Sequence, residues 1–129
     1  MSRILVVDDN TDVLVSLQLL LECVGYQVYT ANNGAEGLQL YREKQPEVVI
    51  TDLAMPVMDG IEMMGALRAE YPDSRIIAIS GFNPDKQADC LSVADNIGAV
   101  ETFVKPVKPD ALLRRIEELV GPPRQAASA

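Results

Sequence analysis

The sequence predicts an α/β fold, one five-stranded parallel sheet covered by helices on both faces. Three observations carry this. Short, continuous apolar runs, Ile4–Val7, Val48–Ile50 and Ile76–Ile79, read as strands buried on both faces. They alternate with longer stretches whose apolar residues repeat at helical spacing, and strict β-α alternation is the signature of a parallel sheet. Each run stops at a polar or charged residue and is followed by turn or helix-start signals.

In chain order, Ile4-Leu-Val-Val7 ends at Asp8-Asp9, and Asn10 or Thr11 can cap the helix that follows. Asp12 suits the positive end of that helix. Val13, Leu14, Leu17, Leu20, Leu21 and Val24 form one wide apolar face, and Gly25 stands where a left-handed cap is wanted. Gln27–Ala31 reads as a strand, and Gly34 to Lys44 as a helix weakened by Gly37. Val48–Ile50 is a strand bounded by Pro46, with Asp52 at its end and a loop through Met55-Pro56 and Asp59-Gly60. Ile61, Met64 and Leu67 mark a helix ending near Pro72, with Met63 and Met64 as core filler. Arg75–Ser80 is the fourth strand, and Asp85 to Asn96 has the weakest helical pattern. Phe103-Val104 lies in a fifth strand ending at Lys105-Pro106. Pro109-Asp110 opens the last helix, whose face is Leu112, Leu113, Ile116, Leu119 and Val120. Residues 1–121 therefore form one domain, and 122–129 read as a flexible tail or linker stump.

Composition excludes several classes. The chain has 129 residues and a net charge of −8, which argues against direct binding to nucleic acid or an anionic membrane. No apolar run has the length of a membrane span, and Met1–Val7 lacks a signal-peptide pattern, so a cytoplasmic protein is expected. There is no histidine, which removes histidine-based hydrolases and Cys/His zinc sites. Cys23 and Cys90 sit in helical apolar patterns and read as reduced core residues.

Right-handed crossovers place every strand's C-terminal end on one edge of the sheet. Asp8, Asp9, Asp52, Ser80 and Lys105 therefore converge there, since the first, third, fourth and fifth strands are neighbours in a sheet of this connectivity. Crowded carboxylates either raise a pKa or recruit a cation. Oxygen-only ligands suit Mg²⁺, with Mn²⁺ as the alternative. Open positions on the ion could accept phosphoryl oxygens, leaving Asp52 as an in-line nucleophile, with Lys105 as a second cation and Ser80 as a donor.

Val7-Asp8-Asp9, the segment Asp52–Gly60, Ser80-Gly81 and Lys105-Pro106 together resemble the receiver domain of two-component response regulators. The resemblance covers residues 3 to about 120. It implies a (βα)₅ flavodoxin-like, CheY-like fold. It implies that Asp52 takes a phosphoryl group from a sensor histidine kinase or a histidine phosphotransfer protein, in a Mg²⁺-dependent reaction. By the same resemblance Asp9 and Asp52 ligate Mg²⁺ directly, Asp8 partly through water, and the carbonyl of Ala54 completes the set. Ser80 and Lys105 bind the phosphoryl oxygens, and the Lys105–Pro106 peptide is cis. The domain would catalyse only its own phosphoryl transfer and dephosphorylation. Its switch would act on an output domain or a homodimer through the face built from the 85–96 helix, the fifth strand and the last helix.

The sequence departs from that family in one region. The switch aromatic usually stands three residues before the lysine, where this chain has Thr102. Phe103 comes one residue later, and strand alternation turns it to the other face of the sheet. The stretch from Gly81 to Thr102 is also slightly longer than usual. Because Thr102 is too small to fill the switch aromatic's place and residues 81–96 carry the weakest apolar pattern, an order change across 81–96 is the expected switch. Three other readings compete. A haloacid dehalogenase-type phosphatase needs an acid two residues after the nucleophile, where Ala54 stands. A flavodoxin-like electron carrier needs a phosphate cradle, where Asp8-Asp9-Asn10 would repel a phosphate. A degenerate receiver, binding partners without phosphorylation, is opposed by the intact set of five residues.

Overall fold

The computed structural model describes residues 2–53, 60–80, 98–104 and 107–121. The described elements are β1 (Arg3–Val7), α1 (Thr11–Cys23), β2 (Gln27–Ala31), α2 (Gly34–Lys44), β3 (Val48–Asp52), α3 (Gly60–Glu70), β4 (Ile76–Ser80), β5 (Glu101–Val104) and α4 (Pro109–Val120). The strands form one sheet in the order β2-β1-β3-β4-β5, and every pairing is parallel. The helix expected over 85–96 and the tail at 122–129 lie outside the described residues. Among the described residues no helix is long and apolar enough to cross a membrane.

Strand alternation splits the interior into two layers. Leu5, Val7, Val49, Ile76 and Ala78 face one side, with Leu38 and Tyr41 of α2 and Met63, Met64 and Leu67 of α3. Ile4, Val6, Val48, Ile50, Ile77 and Ile79 face the other, with Leu14 and Leu21 of α1 and Leu112 and Ile116 of α4. All five residues of β3 are buried, as a central strand covered on both faces requires. Each fully buried aliphatic side chain contributes roughly 1.5–3 kcal/mol. This two-sided core fixes where the strands end, and so where the residues after them are held.

Local chemistry sets the helix starts. The Asn10 side chain accepts hydrogen bonds from the N–H groups of Asp12 and Val13, capping α1. Asn33 caps α2 in the same way through the Glu36 N–H. Gly25 adopts φ 107° beyond the end of α1, the left-handed region that favours glycine. The outer seam between α2 and α3 carries an Arg42–Glu70 ion pair at 2.9 Å and a Tyr41–Tyr71 ring contact at 4.8 Å. The hydrogen bond from Arg42 holds the Glu70 carboxyl below the usual range.

Two sequence expectations meet different outcomes. Cys23 is exposed, not a core residue. It falls on the α1 stripe at i, i+4, i+8 with Val15 (48% exposed) and Leu19 (62% exposed), turned away from buried Leu14 and Leu21. Cys90 lies outside the described residues. Phe103 behaves as alternation predicts. It is in register with Ile79 and packs on the α1/α4 layer, whereas Thr102 is in register with Ala78, whose side chain belongs to the α2/α3 layer.

Gly37, which weakened the helix prediction, is explained by packing. A Cβ there would lie 2.8 Å from Val7 Cγ2 and 2.9 Å from Met63 Sδ, so α2 sits against β1 and α3 only because that atom is missing. Overpacking of this kind costs about 1–3 kcal/mol, against a gain of roughly 0.8–1 kcal/mol in helix propensity. Gly37→Ala is therefore expected to lower unfolding stability in urea titrations, by up to about 2 kcal/mol. A variant more stable than wild type would contradict this packing account.

Candidate functional site

The site is built at the C-terminal edge of the sheet from the ends of adjacent strands. β1 and β3 pair through Val7 and Thr51, so Asp8 and Asp52 follow side by side as the two strands run out. Asp8 is tied to the scaffold at both ends. Its own N–H donates to the Ala31 carbonyl at 3.1 Å, extending the β1–β2 ladder by one residue. Its Oδ1 accepts from the Asn10 N–H at 2.9 Å. Asn10 therefore both caps α1 and orients Asp8. Asp52 is held in the same manner. Its Oδ1 accepts from the Leu53 N–H at 2.8 Å, and its carbonyl accepts from the buried Thr51 hydroxyl at 2.8 Å. The Leu53 N–H also reaches the Ile79 carbonyl at 3.1 Å, which fastens this turn to β4.

Asp8, Asp9 and Asp52 bring carboxylate oxygens within 4.8 Å of one another, with Asp8 and Asp52 buried and Asp9 exposed. At that spacing, two carboxylates repel by roughly 3.5 kcal/mol at an effective dielectric of 20. A cation relieves that repulsion. Oxygen ligands about 2.1 Å from a Mg²⁺ would stand about 3–4.2 Å apart, so three carboxylate oxygens within 4.8 Å of one another are near the spacing such an ion needs. The donor set also fits, since it is all oxygen in a chain without histidine.

Of the residues singled out in the sequence, the structure brings together Asp8, Asp9 and Asp52. Ser80 ends β4, the strand beside β3, so its backbone stands at the same edge. Ala54, Lys105 and the Lys105–Pro106 peptide lie outside the described residues. Sequence reasoning did not find the backbone amides of Asn10 and Leu53 that fix the two buried carboxylates. It also read Gly60 only as part of a turn. The Asn10 contact had a signal, because Asp followed two residues later by a helix N-cap favours a local side-chain-to-backbone hydrogen bond.

Residues 4–117 match the family model of the response regulator receiver domain. Among curated relatives, the chain is 37% identical over 118 residues to the transcriptional regulatory protein PrrA of Mycobacterium tuberculosis, covering 92% of this chain and 49% of that protein. It is 33% identical over 120 residues to protein PilH of Pseudomonas aeruginosa, covering 93% of this chain and 98% of PilH. The chain thus spans about half the length of PrrA and nearly all of PilH. Among solved structures, a response regulator receiver domain from Clostridium thermocellum superposes with a TM-score of 0.86 at 30% identity, over all of both chains. The response regulator TrrA from Thermotoga maritima, crystallised with Mg²⁺ and BeF, superposes with a TM-score of 0.80 at 31% identity, over 93% of this chain and 100% of that one. The chain belongs to the response regulator receiver family of two-component signal transduction.

The carboxylate cluster generates a metal-dependent prediction. A ligand that binds only the folded state raises apparent stability. Mg²⁺ is expected to raise the melting temperature of wild type and to leave Asp9→Ala nearly unchanged. Without metal, Asp9→Ala should melt higher than wild type because one repelling charge is gone. Equal Mg²⁺ responses in the two proteins would contradict a site at this cluster.

Proposed function

We propose that this domain accepts a phosphoryl group on Asp52 from a phosphohistidine of a sensor kinase or histidine phosphotransfer protein. The observation that carries the reading is the placement of Asp52. It stands at the end of the central strand with one oxygen held by the Leu53 N–H, beside two further carboxylates within 4.8 Å. A carboxylate oxygen of Asp52 attacks the phosphorus. As the new O–P bond forms, the N–P bond breaks, and its electron pair stays on the imidazole nitrogen, which takes a proton. Water attack on phosphorus later releases phosphate and restores the carboxylate. The domain in this reading acts on itself and turns over no separate substrate.

Asp8, Asp9, Asp52 and the Ala54 carbonyl are the proposed Mg²⁺ ligands. Bound Mg²⁺ supplies positive charge opposite the phosphoryl oxygens. Ser80 donates a hydrogen bond to a phosphoryl oxygen, and Lys105 offers its ammonium to another. Phosphorylation then shifts a conformational equilibrium read by a partner or by an output domain, as the name of the half-matched PrrA suggests. A cytoplasmic setting belongs to the same proposal, because phosphohistidine donors of this kind act there. The acidic triplet supports this reading over a degenerate receiver, which would have no use for three carboxylates gathered at a strand edge.

The test needs no cognate kinase. Acetyl phosphate or phosphoramidate with Mg²⁺ is expected to add one phosphoryl mass to wild type and none to Asp52→Asn. Undiminished labelling of Asp52→Asn would overturn the assignment.

A further inference from the structure

We infer that Gly60 is a positioning residue for Asp52, needed because it has no Cβ. The inference rests on Asp52 as the reacting residue. Gly60 is the first residue of α3 and is buried. A Cβ built on it would fall 2.0 Å from the Asp52 carbonyl oxygen, 2.9 Å from the Asp52 carbonyl carbon and 2.8 Å from Leu53 Cα. Contacts under 3.0 Å to backbone cannot be relieved by turning a side chain, so the backbone of Asp52 or the start of α3 would have to shift. The helix is not free to give way, because Met63, Met64 and Leu67 anchor it in the core with no exposed surface.

The peptide that Gly60 touches is the one that orients the reactive carboxylate. The Gly60 N–H donates to the Leu53 carbonyl at 3.0 Å. The N–H of the same Leu53 donates to Asp52 Oδ1 at 2.8 Å and to the Ile79 carbonyl at 3.1 Å. Leu53 itself is buried in the α2/α3 layer. A line of direct contacts thus runs from the helix-packed core through Gly60 and Leu53 to the oxygen of Asp52. Displacing this turn would rotate the carboxylate away from Asp8 and Asp9. Misplacement of a reacting group by about 1 Å costs on the order of 100-fold in rate.

The experiment compares wild type, Gly60→Ala and Gly37→Ala in phosphorylation by acetyl phosphate with Mg²⁺. Rates are expressed per folded molecule, with the folded fraction read by circular dichroism in the same samples. Gly37→Ala serves as the packing control, since it crowds the same layer without touching the Asp52 peptide. Gly60→Ala is expected to be slower by about 10- to 100-fold, and Gly37→Ala to stay within about twofold of wild type. A loss of less than about tenfold in Gly60→Ala, or an equal loss in both variants, would overturn the inference. A wild type that takes no label would instead overturn the Asp52 reading itself. Should Gly60→Ala not fold, the amide signals of wild type decide. Mg²⁺ with beryllium fluoride, a phosphoryl mimic, is expected to move the Gly60 and Leu53 amides and leave that of Gly37 in place. An unmoved Gly60 amide would overturn the inference.

Discussion

Like-charge repulsion at the edge of the sheet is held in check by the structure beneath it. Asp8, Asp9 and Asp52 are forced within 4.8 Å of one another, two of them buried. Nothing local makes that arrangement favourable. It persists because β1 and β3 are neighbours locked by a two-sided core, and because the Asn10 and Leu53 amides pin the buried carboxylates. The scaffold thereby holds three carboxylates together before any ligand arrives, an arrangement that a cation would relieve.

The same scaffold links the edge to the rest of the domain. β4 carries Ser80 and lies between β3 and β5, so the strand of Asp52 and β5 share one neighbour. On β5, Phe103 is committed to the α1/α4 layer, while Thr102 occupies the position on the other side. The strand is further fastened to α4 by the Glu101–Arg115 pair at 3.1 Å and by Arg115 donating to the Val100 carbonyl at 3.2 Å. Phe103 in that layer and the Glu101–Arg115 pair thus fasten β5 to α4 at two points.

Much of this was legible in the sequence, for physical reasons that can be named. Continuous runs such as Val48–Ile50 are unambiguous, because a strand buried on both faces has no polar side to dilute the signal. The acidic residues were visible because they stand within two residues of the end of such a run, and a parallel sheet aligns all those ends. Less legible were features that depend on distance across the fold. Gly37 and Gly60 read as helix weakener and turn residue, whereas each marks a close approach between elements remote in sequence. Cys23 read as core because periodicity gives only the helix angle, and at the last turn of α1 that angle points to solvent. The hydrogen bond from the Leu53 amide to Asp52 leaves no trace in residue identity at all.

In the proposed reaction one carboxylate among three adjacent ones carries the phosphoryl group. Borohydride reduces an acyl phosphate to an alcohol and thereby converts a phosphorylated aspartate into homoserine. Reduction after treatment with acetyl phosphate and Mg²⁺, followed by peptide mass mapping, tests the claim most directly. Homoserine at position 52 and at neither 8 nor 9 is the predicted result. Homoserine at Asp8 or Asp9, or an unmodified Asp52 in protein that carries the label, would contradict the account.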